Sequence, residues 1–229
     1  LPPAAASTAA FGNANLRPLY RFAAARRVVS LDADFLQAEA GSIWYARDFA
    51  AARRVKKKDD PMNRLYVAES SLTLTGAMAD HRLRIASSHL EAFAAALAAK
   101  VGVGSAAAPA GVSQAWIDAC AQDLQDNRGA CVVVAGSHLP ASVHALAYRM
   151  NVALGNVGRT LDFVEVPAAP AATTISQLAT TINAGSVRTL VILGGNPAYN
   201  APADLDWAAT QKKVADVIHL SGYVDETSS

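Results

Sequence analysis

The second half of the chain alternates short apolar runs with amphipathic stretches. ACVVVA (130–135), DFVEV (162–166), RTLVIL (188–193) and ADVIHL (215–220) are compact and rich in β-branched residues, and each predicts a strand. The segments between them carry apolar residues at helical spacing and predict helices over 113–127, 140–154, 174–184 and 204–213. Ser113 stands where an N-cap is expected, Pro140 falls in a first turn, and Gly155-Asn156 closes the helix that follows it. The first half is less regular. RRVVSL (26–31) and RLYVAE (64–69) predict two further strands. Helices are expected over 43–55 and 89–100, the second capped from Ser87-Ser88.

Buried strands alternating with helices predict an α/β fold. The expected architecture is a Rossmann-like, mostly parallel sheet with helices on both faces and right-handed crossovers. Residues 1–25, rich in Ala and Pro and then basic, read as an arm or linker. The Gly/Ala/Pro/Ser stretch 101–111 is the best internal boundary, giving a first α/β segment over 26–110 and a second over 111–229.

Composition narrows the function classes. With 52% hydrophobic and 17% charged residues the chain can bury a sizeable core. A net charge of +1 gives no footprint for nucleic acid. No apolar run approaches the ~20 residues that span a bilayer. The chain starts at Leu1 rather than Met, and its first residues resemble no signal peptide, so a cut or processed chain is expected. Cys120 and Cys131 are too few for an iron–sulfur cluster or a structural zinc site, which need about four ligands. Cys131 begins an apolar run and reads as core, and a disulfide between the two stays open.

In open parallel sheets, ligands bind beyond the carboxyl ends of the strands. Three segments fall there. Gly136, Ser137 and His138 follow 130–135; Gly194, Gly195, Asn196 and Pro197 follow 188–193; Asp225, Glu226 and Thr227 lie beyond the last strand. Glycines let backbone N–H groups approach a phosphate, an Asn amide can read a base edge, and the acidic pair can accept from a guanine or a ribose. G-x-G-x-x-G, the P-loop, H-E-x-x-H and G-x-S-x-G are all absent from the sequence. No two histidines stand at i, i+4 spacing, His219 reads as a core-strand residue, and no metal site or catalytic residue is assigned. Glu69 and Asp80 flank the polar stretch 70–76, where capping and loop hydrogen bonds are the expected roles. The run 56–61 (KKKDDP) reads as a solvated turn.

Five segments carry a resemblance: VVSLDADFL (28–36), YARDFAAARRV (45–55), MNRLYVAESSLTLTGAMADHRL (62–83), LVILGGNPAYNAPADL (190–205) and VIHLSGYVDETS (217–228). They resemble the molybdopterin oxidoreductase (dimethyl sulfoxide reductase) superfamily, and in particular the large iron–sulfur, molybdopterin-like subunit of bacterial alternative complex III. The resemblance implies that the loop 194–197 and the stretch 225–227 correspond to positions near a pterin guanine dinucleotide in cofactor-bearing members. It also implies a core fragment, with iron–sulfur clusters only in missing parts of the parent chain. The expected partners are the remaining domains of that subunit and the other subunits of a membrane electron-transfer complex that oxidises quinol. The expected location is peripheral, on the periplasmic side of the bacterial inner membrane.

Three functions follow as expectations. The first is a scaffold with no cofactor of its own. The second is part of the core of an active molybdenum bis-molybdopterin guanine dinucleotide oxidoreductase. The third is a stand-alone nucleotide-binding module.

Overall fold

The computed structural model describes residues 2–167 and 172–229. The chain divides into two units, residues 1–168 and 169–229. The first contains α1 (Pro2–Phe11), β1 (Leu16–Tyr20), β2 (Arg27–Leu31), α2 (Ser42–Ala51), β3 (Arg64–Glu69), α3 (Leu74–Ala77) and β4 (His81–Arg84). It continues through α4 (Leu90–Lys100), α5 (Gln114–Asp126), β5 (Cys131–Ala135), α6 (Ala141–Ala153) and β6 (Leu161–Glu165).

Four of these strands form a parallel sheet in the order β4-β3-β2-β5. Successive side chains of a strand face opposite sides, and here both sides are covered. Val29, Leu31, Tyr66, Ala68, Val133 and Ala135 pack with α4, α5 and α6. Val28, Leu65, Val67, Val132 and Val134 pack with Phe22, Phe35 and Phe49, the last from α2. This double burial explains why β2, β3 and β5 read as nearly unbroken apolar runs. The unit is mixed α/β with helices on both faces of a parallel sheet, an arrangement compatible with a Rossmann-like fold.

β6 does not join that sheet. It pairs antiparallel with β1 in a two-stranded ribbon, Tyr20 opposite Leu161. The outer edge of β5 is already occupied by side chains. Asn151 of α6 accepts from the Val133 N–H (3.0 Å) and donates to the Val133 carbonyl (2.7 Å). Thr160 donates to the Cys131 carbonyl. A strand returning to that edge would find its partners taken.

The expected divisions of the chain need correction. Residues 1–25 are not a free arm: α1 packs on α6, Ala6 and Ser7 are buried, and the Ser7 hydroxyl donates to the Leu16 carbonyl. The stretch 101–111 separates no domains. It joins α4 to α5, whose Leu97 and Ile117 lie in one core. The chain divides at 168/169 instead.

The second unit holds α7 (Ile175–Asn183), β7 (Thr189–Leu193), α8 (Pro197–Asn200), α9 (Trp207–Gln211) and β8 (Asp216–Leu220). α7 starts with a capping box between Thr174 and Gln177. The expected helix 204–213 is broken at Asp206, whose φ of 39° is left-handed and whose side chain caps α9. β7 and β8 pair in parallel. Leu190 and Ile192 are buried with Ile182 and Trp207, whereas Val191, Leu193, Ile218 and Leu220 are exposed. No helix among the described residues is long and apolar enough to cross a membrane.

Candidate functional site

In the first unit the strand order reverses at β2, since β3 and β4 lie on one side of it and β5 on the other. The crevice beyond the carboxyl ends of β2 and β5 is therefore the topological switch point. The chain leaves β2 through Asp32, whose φ of 47° is unusual for a residue with a side chain. Its backbone N–H is held by the Ala68 carbonyl at 2.7 Å, and Ser30 bonds both the N–H and the carbonyl of Ala33. The Asp32 carboxylate accepts from the Ser70 N–H (3.3 Å) and hydroxyl (3.2 Å), and lies 3.4 Å from His138 Nε2. Asp34 accepts from the Thr75 N–H and hydroxyl. The cavity these loops frame measures about 310 Å³ and includes Glu39, Ser71 and Thr73.

Of the three residues expected here, Gly136 is buried and donates to the Leu31 carbonyl at 2.9 Å. A Cβ at this position would lie 2.2 Å from the Asp32 carbonyl oxygen, so a close crossing of β2 and β5 requires glycine. The Ser137 N–H donates to Glu39 at 2.9 Å, and the His138 ring is 61% exposed. Asp32, Asp34 and Glu39 had no expected role, and Ser70 only that of a loop residue in the stretch 70–76. The strand-exit rule that selected Gly136 applies equally to β2 and β3 and points to them.

Glu69 and Asp80 both serve the frame. Glu69 is buried, accepts from the Thr73 hydroxyl at 2.7 Å and pairs with Arg82 at 2.5 Å. Asp80 takes both arms of the Arg53 guanidinium and the Leu65 N–H, and the Arg53 hydrogen bonds hold its carboxyl below the usual range.

In the second unit the other two expected loops meet beyond the carboxyl ends of β7 and β8. Gly194 and Gly195 have φ of 69° and 80°, with nothing within 4 Å of a would-be Cβ. Asn196 donates to Glu226 at 2.6 Å and accepts from the Thr227 hydroxyl at 2.7 Å. That hydroxyl also accepts from the Ala198 N–H in α8, which begins at Pro197, and Gln211 holds the Thr227 carbonyl. Asp225 accepts from the N–H groups of Thr227 and Ser228 and from the Ser228 hydroxyl. Desolvation opposes its charge, but these bonds and His219 outweigh it and hold the carboxyl below its ordinary value. The Asn196 amide does the same for Glu226. His219 bridges the two segments, with Nδ1 2.9 Å from the Ser228 hydroxyl and Nε2 3.1 Å from the Gly195 carbonyl.

A guanine or ribose would need these same amide and carboxylate groups. Both ends of the Asn196 amide and both oxygens of Asp225 are already engaged within the chain, so the loop suits a pterin guanine dinucleotide poorly as it stands. The space beside the two glycines remains open, although the Gly194 N–H donates to the Leu220 carbonyl and the Gly195 carbonyl faces His219. Among the described residues no group of three or more His, Cys, Asp or Glu side chains is placed to hold a metal ion. Cys120 and Cys131 are both free and buried, and burial raises both thiols, Cys131 to about 11.

Models of known protein families give no match to the chain, and a search of curated proteins finds none either. Any functional conclusion therefore stands on the residues themselves.

Proposed function

We infer that this chain is the α/β core of a molybdopterin oxidoreductase-like iron–sulfur subunit, acting as a scaffold without a cofactor of its own. Its partners are the remaining domains of that subunit and the other members of a membrane-associated electron-transfer complex that oxidises quinol. It sits on the periplasmic face of the inner membrane. The five segments that resemble the molybdopterin-like subunit of alternative complex III support the family. The observation that carries the scaffold role is the network joining Asn196, Glu226 and Thr227. It ties together groups at positions that, by the resemblance, lie near a pterin guanine dinucleotide in cofactor-bearing members.

One observation favours a second reading, the core of an active molybdenum bis-molybdopterin guanine dinucleotide enzyme. The space beside Gly194 and Gly195 is open, which suits close approach of a phosphate, although the Gly194 N–H already donates to the Leu220 carbonyl. Elemental analysis and acid hydrolysis of the intact native subunit separate the two. The scaffold gives molybdenum and guanine nucleotide at background. Near-stoichiometric amounts of both overturn it, and Asn196→Ala should then lower the cofactor content by weakening binding about 1–3 kcal/mol.

A further inference from the structure

A second cavity, of about 320 Å³, lies in the first unit between β1, α2, α6 and the end of β5. Four aromatic side chains line it: Tyr20, Phe35, Tyr45 and Tyr148. Its two charged lining residues, Arg17 and Glu39, are opposite in sign. His144 lines it too, and with Tyr148 it carries an anomaly. Among the described residues, His144 Nε2 and the Tyr148 hydroxyl are the buried side-chain polar atoms without a hydrogen-bond partner. The residues are 4% and 1% exposed. Two polar groups lie near them: the Ser7 hydroxyl, which donates to the Leu16 carbonyl, beside the Tyr148 phenol, and the Gly136 backbone beside the His144 ring; neither stands in hydrogen-bonding geometry with the two orphaned atoms.

Buried polar atoms are nearly always paired, and an orphan calls for a specific cause. Two orphans on the wall of one cavity share a cause more readily than they arise twice. They are one helical turn apart on α6, with ring centroids 6.2 Å from each other, so one small polar group can reach both. Both atoms belong to neutral groups at neutral pH. Burial lowers the His144 pKa and raises that of Tyr148.

We propose that this cavity is a binding site for a small neutral aromatic molecule that carries a hydroxyl group. The aromatic walls take the ring, and the balanced pair Arg17 and Glu39 offers no net charge to an ionic ligand. A hydroxyl both donates and accepts. It can donate to a bare His144 nitrogen, or accept from a protonated one, while accepting from the Tyr148 phenol. The site lies wholly within the first unit and does not depend on the function inferred above.

The test uses the full chain with 2-naphthol as probe and 2-methylnaphthalene as its counterpart without a hydroxyl. Titration followed by probe fluorescence should show saturable one-to-one binding of 2-naphthol. Tyr148→Phe keeps the ring and removes the hydroxyl. It should weaken 2-naphthol about tenfold, the worth of one hydrogen bond, and leave 2-methylnaphthalene unchanged. No saturable binding to the wild-type chain overturns the proposal, as does equal affinity in a folded Tyr148→Phe. Should that variant not fold, nitrogen NMR of the wild-type imidazoles decides. A shift of the His144 Nε2 resonance on adding 2-naphthol supports the site, and an unmoved resonance sinks it.

Discussion

At Gly136 the sheet tolerates no side chain. The Asp32 carbonyl occupies the space, and Asp32 itself, at positive φ, is tied to β3 through its N–H and the Ala68 carbonyl. Gly136→Ala should therefore cost about 1–3 kcal/mol, the usual penalty of overpacking, and urea denaturation measures it. His144 gives a second expectation. Burial lowers its pKa from 6.5, with Glu39 and the Gly136 backbone opposing and His138 acting in the same direction. The unfolded chain thus takes up the proton first as the pH falls. Stability should be full above about pH 6.5 and decline below it, down to the lowered pKa of the folded chain. His144→Gln should remove that part of the decline in urea titrations at about pH 7.5 and pH 5. Sequence alone could not reveal this behaviour, because His144 reads as one more polar residue on a helix until the fold buries it beside Glu39, Gly136 and Tyr148.

Legibility was uneven among the elements, for identifiable reasons. β3 spans the expected 64–69, and β2 and β5 begin one residue inside the expected runs, since their burial on two faces leaves an unmistakable apolar signature. β1, with the sequence LRPLY, carries Pro18 and alternates only weakly, because it pairs with β6 alone. β4, HRLR, is an edge strand with three exposed residues, so its pattern is polar. α1 is nearly all Ala, Pro and Ser and has no amphipathic stripe, and it holds to α6 through small buried side chains. Loops between elements are fastened by ion pairs that no periodicity announces. Arg53, just past α2, grips Asp80 at the approach to β4 with two bonds of 2.7 and 2.8 Å. Both side chains are partly exposed, so Asp80→Asn should cost about 1–2 kcal/mol. The Asp80 carboxyl is held low by Arg53, so its contribution should be complete above about pH 4 and vanish as the pH falls through its lowered pKa. Thermal melts of the variant and the wild type across about pH 2–6 check both points.

Across the whole molecule, the α/β class was readable and the partition was not. Glycine and proline content marked 101–111 as a boundary, but α4 and α5 share one hydrophobic cluster across it. Covalent neighbours in a loop say little about which faces pack. The candidate site followed the same pattern. Three strand exits were identified, and two of them meet in the second unit through Asn196, Glu226, Thr227 and His219. The third, at Gly136, sits at the switch point of the first unit with Asp32 and Ser70, whose parts depend on strand order, and strand order is a property of the assembled sheet.

The side chain of Asn151 acts as a short substitute for a fifth strand. It presents one carbonyl and one amide to Val133 in the way a neighbouring backbone would, and Asn156 braces it from behind at 2.9 Å. A single residue thereby tells the sheet where to stop. Asn151→Ala should strip two buried backbone groups of their partners, at about 1–3 kcal/mol each. It should also leave an open seam of β5 on which another molecule can template. Light scattering of the variant under mild heating should show self-association well before the wild-type chain does. Asn151 would then guard solubility as much as it guards the fold.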